Sequence, residues 1–282
     1  MGEALITVSN DKCTSCGICV HVCPAGVLSM KDGFPFPRHS SSCIFCAHCS
    51  AVCPEDALNH LGEKTGRFRL KTIEKDNPQD FYASKRSIRH YTTQKIDTAL
   101  IRELITMAES APSGHNTRKR QYHVIDDAEK IEQLEKITAD RYRRILLWLN
   151  PIVTGFLSVT APRKARTISG DLQALKRLLS ASDKGHGPFF RHAPCVVVIS
   201  APKKQRSGQD DCQAAMHYLM LNAHRIGVAS CIIGFALFAK KDLQKHLKIP
   251  KNRRIYAVFV LGYAKYQYQK AIYRSENVNS EY

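Results

Sequence analysis

From residue 98 onward, apolar positions recur either at helical spacing or in short unbroken runs. In 98–109, Leu100, Ile101, Leu104, Ile105 and Ala108 fall on one helical face. Tyr122 to Ile125 reads as a short strand. Cys195 to Ala201 is an almost unbroken apolar run of strand length, the pattern of a strand buried on both faces. Cys212, Ala215, Met216, Leu219, Ala223 and Ile226 mark one face of a long helix over 210–226. Lys240 to Leu247 is a short amphipathic helix, and Ile255 to Leu261 a second buried strand. A further helix starts at Pro78-Gln79-Asp80, with Asp80 as its N-cap. Helices that alternate with buried strands make this part mixed α and β. The first sixty or so residues are different. Their segments are short and broken by cysteine and proline. Lys64 to Asn77 reads as a polar connector.

One stretch resists this scheme. Residues 145–161 are apolar and follow the basic Arg141-Tyr142-Arg143-Arg144, yet Asn150-Pro151 and Gly155 interrupt them. A membrane span wants about 20 predominantly apolar residues. A kinked lid or packing helix is the better reading, and no membrane span is expected. No role is assigned to residues 141–192 as a whole.

Charge divides the chain in the same place as pattern. The chain of 282 residues carries a net +17, but residues 1–63 hold three Lys/Arg against six Asp/Glu, so the remainder carries +20. The organisation expected is 1–63, a linker over 64–79, and a larger α+β domain over 80–282. Eight of the 11 cysteines fall within residues 13–53, and the opening residues carry no secretory signal pattern. Closely spaced thiols without export are metal ligands rather than disulfides, so a cytoplasmic, reducing setting is expected.

Those eight form two matched runs. The first is Cys13-Thr-Ser-Cys16-Gly-Ile-Cys19-Val-His-Val-Cys23-Pro24, the second Cys43-Ile-Phe-Cys46-Ala-His-Cys49-Ser-Ala-Val-Cys53-Pro54. Zinc is the competing reading, but zinc ligands come in pairs with long separations between them. Both runs fit C-x2-C-x2-C-x3-C-P and so resemble the bacterial two-cluster ferredoxins. The resemblance implies two [4Fe-4S] clusters with crossed ligation, the fourth cysteine of each run serving the other cluster. One takes Cys13, Cys16, Cys19 and Cys53, and the other Cys43, Cys46, Cys49 and Cys23. Cys195, Cys212 and Cys231 lie in or beside apolar stretches and read as small core residues. His21 and His48 receive no role.

Four pieces of the larger domain carry further chemistry. Lys85-Arg86-Ser87-Ile88-Arg89 groups cations and a hydroxyl suited to a phosphate. Ala111-Pro112-Ser113-Gly114-His115-Asn116 is a compact turn with polar groups, in which Gly114 permits close approach to a ligand. Cys231 to Phe235, around Gly234, and Leu261-Gly262-Tyr263-Ala-Lys265 offer more close-approach backbone. Lys270 and Arg274 follow. In this order the pieces resemble the FMN-dependent nitroreductase family, over residues 80–282, and the whole chain resembles the ferredoxin–nitroreductase fusions. The resemblance implies a nitroreductase-like α+β sandwich that binds FMN. Lys85, Arg86, Ser87 and Arg89 would meet its phosphate, ribityl chain and pyrimidine edge. Pro112, Ser113 and Asn116 would lie at the ribityl or ring region, and the backbone of Ile233 and Gly234 at N5. Lys270 and Arg274 would complete the phosphate site. It also implies a homodimer. Two departures stand out: Lys85 replaces the first arginine of the family signature and loses its bidentate fork, and Arg118-Lys119 stands where Gln-Pro is common.

The function expected is an oxidoreductase that passes electrons from reduced ferredoxin or a similar low-potential donor through the clusters to FMN. A small organic acceptor, such as a nitroaromatic, takes them. No side chain is assigned as catalytic, His115 included. The alternatives are an electron-transfer flavoprotein that serves a partner enzyme, or an ene or quinone reductase. A nucleic-acid role has only the interleaved Tyr263-Ala-Lys-Tyr266-Gln-Tyr268-Gln-Lys270 to support it, and no nucleic-acid partner is expected. The absence of G-x-G-x-x-G speaks for a ferredoxin-type donor over a dinucleotide.

Overall fold

The computed structural model describes residues 4–74, 76–148 and 162–276. They fall into two units, Met1–Arg86 with Lys265–Tyr282, and Ser87–Ala264.

The first unit contains β1 (Ile6–Val8), α1 (Ile18–His21), β2 (Leu28–Lys31), β3 (Phe34–Pro37), α2 (His48–Val52), β4 (Leu58–His60), α3 (Leu61–Lys64), β5 (Phe68–Thr72) and α4 (Pro78–Ser84). β1 pairs with β4, and β2 with β3, both antiparallel. Each cysteine run ends in a one-turn helix, α1 or α2, entered through a left-handed residue, Gly17 (φ 70°) or Ala47 (φ 59°). Ile6, Val27, Leu28 and Leu58 form a small core with Cys19 and Cys49.

The connector expected over residues 64–79 contains structure. β5 pairs antiparallel with Lys270–Arg274 (β10), in register from Arg274 opposite Phe68 to Lys270 opposite Thr72. The last strand of the chain therefore belongs with the N-terminal unit, not with the domain it follows. Phe68 is buried and packs with Ala47, Ala51 and Ile272. The next helix is capped three residues earlier than expected, so Asp80 is not its N-cap. Asn77 is its N-cap, accepting from the Gln79 N–H at 2.9 Å. Asp80 is buried and holds the Glu74 N–H at 2.7 Å and the Tyr273 hydroxyl.

The second unit is built on a four-stranded antiparallel sheet, ordered β6 (Gln121–Ile125), β7 (Cys195–Pro202), β9 (Arg253–Gly262), β8 (Ala229–Ile232). Helices cover both faces, which is why β7 and β9 read as continuous apolar runs although the sheet is antiparallel. The period of two sorts β7 cleanly. Val196 and Val198 face one core with Ile131, Leu134 and Tyr142 of α6 (Ala128–Trp148). Cys195, Val197, Ile199 and Ala201 face the other, with α5 (Thr98–Ala108) and α8 (Gly208–Arg225). α7 (Pro162–Asp183), α9 (Gly234–Phe238) and α10 (Lys240–His246) complete the unit. Cys195, Cys212 and Cys231 are core residues, as their apolar surroundings implied.

Of the apolar stretch 145–161, residues 145–148 end α6 and the rest lies outside the described residues. Among the described residues no helix is long and apolar enough to cross a membrane.

Candidate functional site

Folding brings the eight cysteines of the first unit into two quartets. One cavity is lined by Cys13, Cys16, Cys19 and Cys53, with Pro54 and Glu55 at its edge. The other is lined by Cys23, Cys43, Cys46 and Cys49, with His60. In both, three thiols of one run meet the last thiol of the other. Burial pushes the Cys19 thiol up to about 11, helped by Cys16, Cys53 and Cys13. Burial takes Cys49 to about 12, with Cys46 and Cys23 adding to it. Cys43 is raised by burial and by the same two neighbours. A cationic metal group beside Cys19, Cys43 and Cys49 would offset that rise and favour their thiolate forms. Among the described residues, no three His, Cys, Asp or Glu side chains are grouped for a single metal ion. The thiols surround a volume instead, which fits a polynuclear cluster. Amides already point at the sulfurs: Val27 N–H to Cys23 Sγ at 3.2 Å, Phe45 N–H to Cys43 Sγ at 3.4 Å, and Ala57 N–H to Cys53 Sγ at 3.4 Å.

The first unit also holds a cation pair. Arg86 is held down to about 10, first by burial and then by Arg274. Its Nε is buried without a hydrogen-bond partner, while its outer nitrogens reach the Lys85 carbonyl at 3.1 Å and the Ala83 carbonyl. Two guanidiniums that repel each other, one with an unsatisfied donor, fit an anionic group such as a phosphate.

In the second unit, Ser87 to Tyr91 runs beside β8. Ser87 bridges Ser230, the Ile88 N–H donates to the Ser230 carbonyl at 3.1 Å, and Tyr91 bridges Ala264. Arg89 donates to the Ser87 carbonyl at 3.1 Å. Arg191 lies in the same electrostatic neighbourhood. Burial and then Arg89 lower its guanidinium, and its Nε is buried without a partner. Arg191 has a left-handed backbone, φ 62°. The turn that presents it is fastened by buried Glu135, whose carboxylate accepts from the N–H groups of Phe189 (3.1 Å) and Phe190 (2.8 Å). Gly234 opens the first turn of α9, and a Cβ there would meet nothing within 4 Å. A paired cationic edge and an open glycine backbone fit a planar ring system with acceptor oxygens along its edge.

Residues 82–263, more than half of the chain, match the nitroreductase family. The chain belongs to that family. Residues 12–58 match the 4Fe-4S dicluster domain, so the chain is a ferredoxin-like domain fused to a nitroreductase domain. The fold of the nitroreductase domain is shared with a nitroreductase with bound FMN from Desulfitobacterium hafniense. The two are 18% identical over 72% of this chain and 94% of that one, with a TM-score of 0.52. An FMN-dependent nitroreductase from Clostridium difficile aligns at 17% identity over 74% of this chain and all of that one, TM-score 0.51. The ferredoxin-like part is similar to the NADH-quinone oxidoreductase subunit I of Pelobacter propionicus, 36% identical over 24% of this chain and 44% of that protein. It is also similar to a ferredoxin of Methanothermococcus thermolithotrophicus, 34% identical over 19% of this chain and 92% of that protein. The chain spans about half the length of the first curated relatives it matches.

Within the nitroreductase domain some expected residues are engaged differently from the reading of the sequence. Gly114 is not left open to a ligand: a Cβ there would lie 2.7 Å from Ser207 Cβ, and its N–H donates to Asp211 Oδ1 at 2.9 Å. The glycine lets the turn press against the start of α8. The turn exposes Pro112 and Asn116 and leaves Ser113 half-buried. Ser113 Oγ accepts the Arg118 N–H at 3.1 Å, and Asn116 Oδ1 accepts Arg118 Nε at 3.0 Å. Arg118, a departure from the family pattern, thus fixes the Asn116 side chain. The Ile233 N–H donates to the Val258 carbonyl at 2.8 Å and its side chain is buried, so a ligand would meet Gly234 instead. Gly262 passes close to Pro194 and Tyr91. In the first unit Lys270, expected at a phosphate, pairs with Asp56. Tyr266 and Tyr268 meet His21 Nδ1 (3.1 Å) and His48 Nδ1 (3.3 Å), so the interleaved tail is used inside the unit. Reading the sequence missed Arg191 and His60. Arg191 lies in no motif, and His60 only in the segment that follows the second cysteine run.

Proposed function

We propose that this chain is an iron–sulfur flavoprotein oxidoreductase that binds two [4Fe-4S] clusters and FMN and reduces a small organic acceptor, such as a nitroaromatic. The observation that carries the reading is the pair of cavities, each lined by a complete crossed set of four cysteines, in a chain whose other unit has the nitroreductase fold. When bound, the clusters carry single electrons at low potential and the flavin converts them to reduction of the acceptor.

The chain's own residues bind and orient. Cys13, Cys16, Cys19 and Cys53 hold one cluster, and Cys23, Cys43, Cys46 and Cys49 the other. Arg86 and Arg274 present the charge for a phosphate. Ser87, Arg89 and Arg191 present donors to the ribityl and pyrimidine part of a flavin, and Asn116 and Gly234 present theirs from the turn and from α9. No side chain is needed to hold a proton for the acceptor. His115 is exposed on its turn, and water reaches the same place. Exposed Ile232, Phe235 and Phe238 on β8 and α9 support a homodimer. The external donor is reduced ferredoxin or a similar low-potential protein.

The test is anaerobic purification with iron, sulfide and FMN supplied. Two clusters' worth of iron and one flavin per chain, with nitroaromatic consumption driven by reduced ferredoxin, are expected. Iron without flavin would remove the enzyme reading. Both cofactors with no consumption of nitroaromatic, enone or quinone would leave electron transfer to a partner enzyme in its place.

A further inference from the structure

The two cysteine runs are followed by similar segments that differ at equivalent positions. After Cys23 the chain reads Pro24-Ala25-Gly-Val-Leu28-Ser-Met30, and after Cys53 it reads Pro54-Glu55-Asp-Ala-Leu58-Asn-His60. Met30 is 42% exposed, whereas His60 is 3% exposed and lines the cavity of Cys23, Cys43, Cys46 and Cys49. Glu55, where the first repeat has Ala25, lines the other cavity. The repeat's symmetry is thus broken by an imidazole at one cavity and a carboxylate at the other.

The protonation of His60 follows from its partners. Its Nδ1 accepts the Gly62 N–H at 2.9 Å, so Nδ1 carries a lone pair and the ring proton sits on Nε2. Nε2 lies 3.5 Å from Cys43 Sγ. The ring is held in that direction from both sides. Phe45 and Phe68 meet it edge-on, with centroids 5.4 and 5.3 Å away. Gly62 completes the clamp, because a Cβ there would come within 2.5 Å of Phe68 Cε1 and 3.2 Å of His60 Nδ1.

We propose that His60 is a positioning residue that donates a hydrogen bond to Cys43 Sγ, raises the reduction potential of the cluster held there, and so makes the two clusters inequivalent. The inference rests on the cluster reading given above. Reduction adds negative charge to the cluster and its sulfurs, and a fixed N–H donor favours that state. The Glu55 carboxylate at the other cavity acts with the opposite sign. Transfer between the two sites moves one electron: one cluster is oxidised and the other reduced. No bond is made or broken, and His60 keeps its proton. The electron comes to rest at the His60 side.

The experiment uses the full chain, loaded anaerobically, with both midpoint potentials followed by electron paramagnetic resonance. His60→Asn keeps an acceptor for the Gly62 N–H but is too short to reach the sulfur. His60→Gln is long enough to restore a donor there. In H60N the higher of the two potentials falls by a tenfold step in its equilibrium, about 59 mV for one electron. The other potential stays, and H60Q recovers the lost shift. Loss of one cluster in H60N with retention in H60Q also supports the sulfur contact. Unchanged potentials in a fully loaded H60N, an equal fall in both, or failure of both variants alike would overturn the proposal. A wild-type chain that takes up iron but forms no cluster would instead remove the reading on which it rests.

Discussion

Removing Arg274 should have opposite effects on the FMN-free chain and on flavin binding, and removing Arg86 should weaken flavin binding. The lowering of Arg86 to about 10 means that its charged form is disfavoured by about 3 kcal/mol relative to water. Burial accounts for the larger part. Arg274 is exposed, so its share is screened to roughly 0.2–1 kcal/mol. Arg274→Ala should therefore raise the stability of the flavin-free chain by that small amount. A phosphate between the guanidiniums reverses the repulsion, and each charge-assisted contact contributes roughly 1.5–3 kcal/mol. Arg86→Ala should then weaken FMN binding by about 10–150-fold, and Arg274→Ala should weaken it as well. Quenching of FMN fluorescence on titration with flavin-free protein gives the affinities, and thermal melting without FMN gives the stabilities. Unchanged affinity in Arg86→Ala would show that the phosphate lies elsewhere. An Arg274→Ala chain that melts lower without FMN would refute the repulsion argument.

Three further outcomes are expected. Cys53→Ala should remove the cluster built on Cys13, Cys16 and Cys19 and spare the one beside its own run, as spectroscopy that resolves the two clusters will show; loss confined to the Cys43 site would sink the crossed assignment. Gly62→Ala should cost about 1–3 kcal/mol by forcing apart Phe68, Phe45 and His60, measured by denaturant titration, and a neutral result would mean the clamp yields. His115→Gly should raise stability by up to about 1 kcal/mol, because His115 holds a left-handed φ of 53° on an exposed turn, and it should leave nitroaromatic turnover within tenfold; a thousandfold loss with flavin still bound would reveal a dedicated proton donor.

What the sequence revealed follows the range of the interactions involved. α5, α8, α10, β6, β7 and β9 lie within two residues of where periodicity put them, because their apolar faces are local patterns, whereas α6, α7 and β8 were not read from the sequence. The cysteine quartets were legible for the same reason: three ligands of each sit within seven residues, and the resemblance supplied the fourth. β5 was not. Phe68-Arg-Leu70-Lys-Thr72 is short, two of its five residues are charged, and its partner lies about 200 residues further along the chain. Gly114 was assigned to a ligand because Ser207, which needs the space, is remote in sequence. Arg191 sits in no motif, and His60 only in the segment that follows the second cysteine run. They became visible only through an unsatisfied Nε and a 3.5 Å contact to sulfur.

The pairing of β5 with β10 has a consequence for biosynthesis. When Thr72 leaves the ribosome, its strand partner does not yet exist. At about 5–20 residues per second, Lys270 is added roughly 10–40 s later. Throughout that interval β5 presents an unpaired edge beside newly made thiols, the kind of edge that recruits other chains. Its charged residues, Arg69 and Lys71, are the type that discourages such recruitment. The first unit thus begins before the nitroreductase domain and is completed after it. A nascent chain halted before residue 270 should therefore carry its iron–sulfur domain in an open, oxygen-sensitive form.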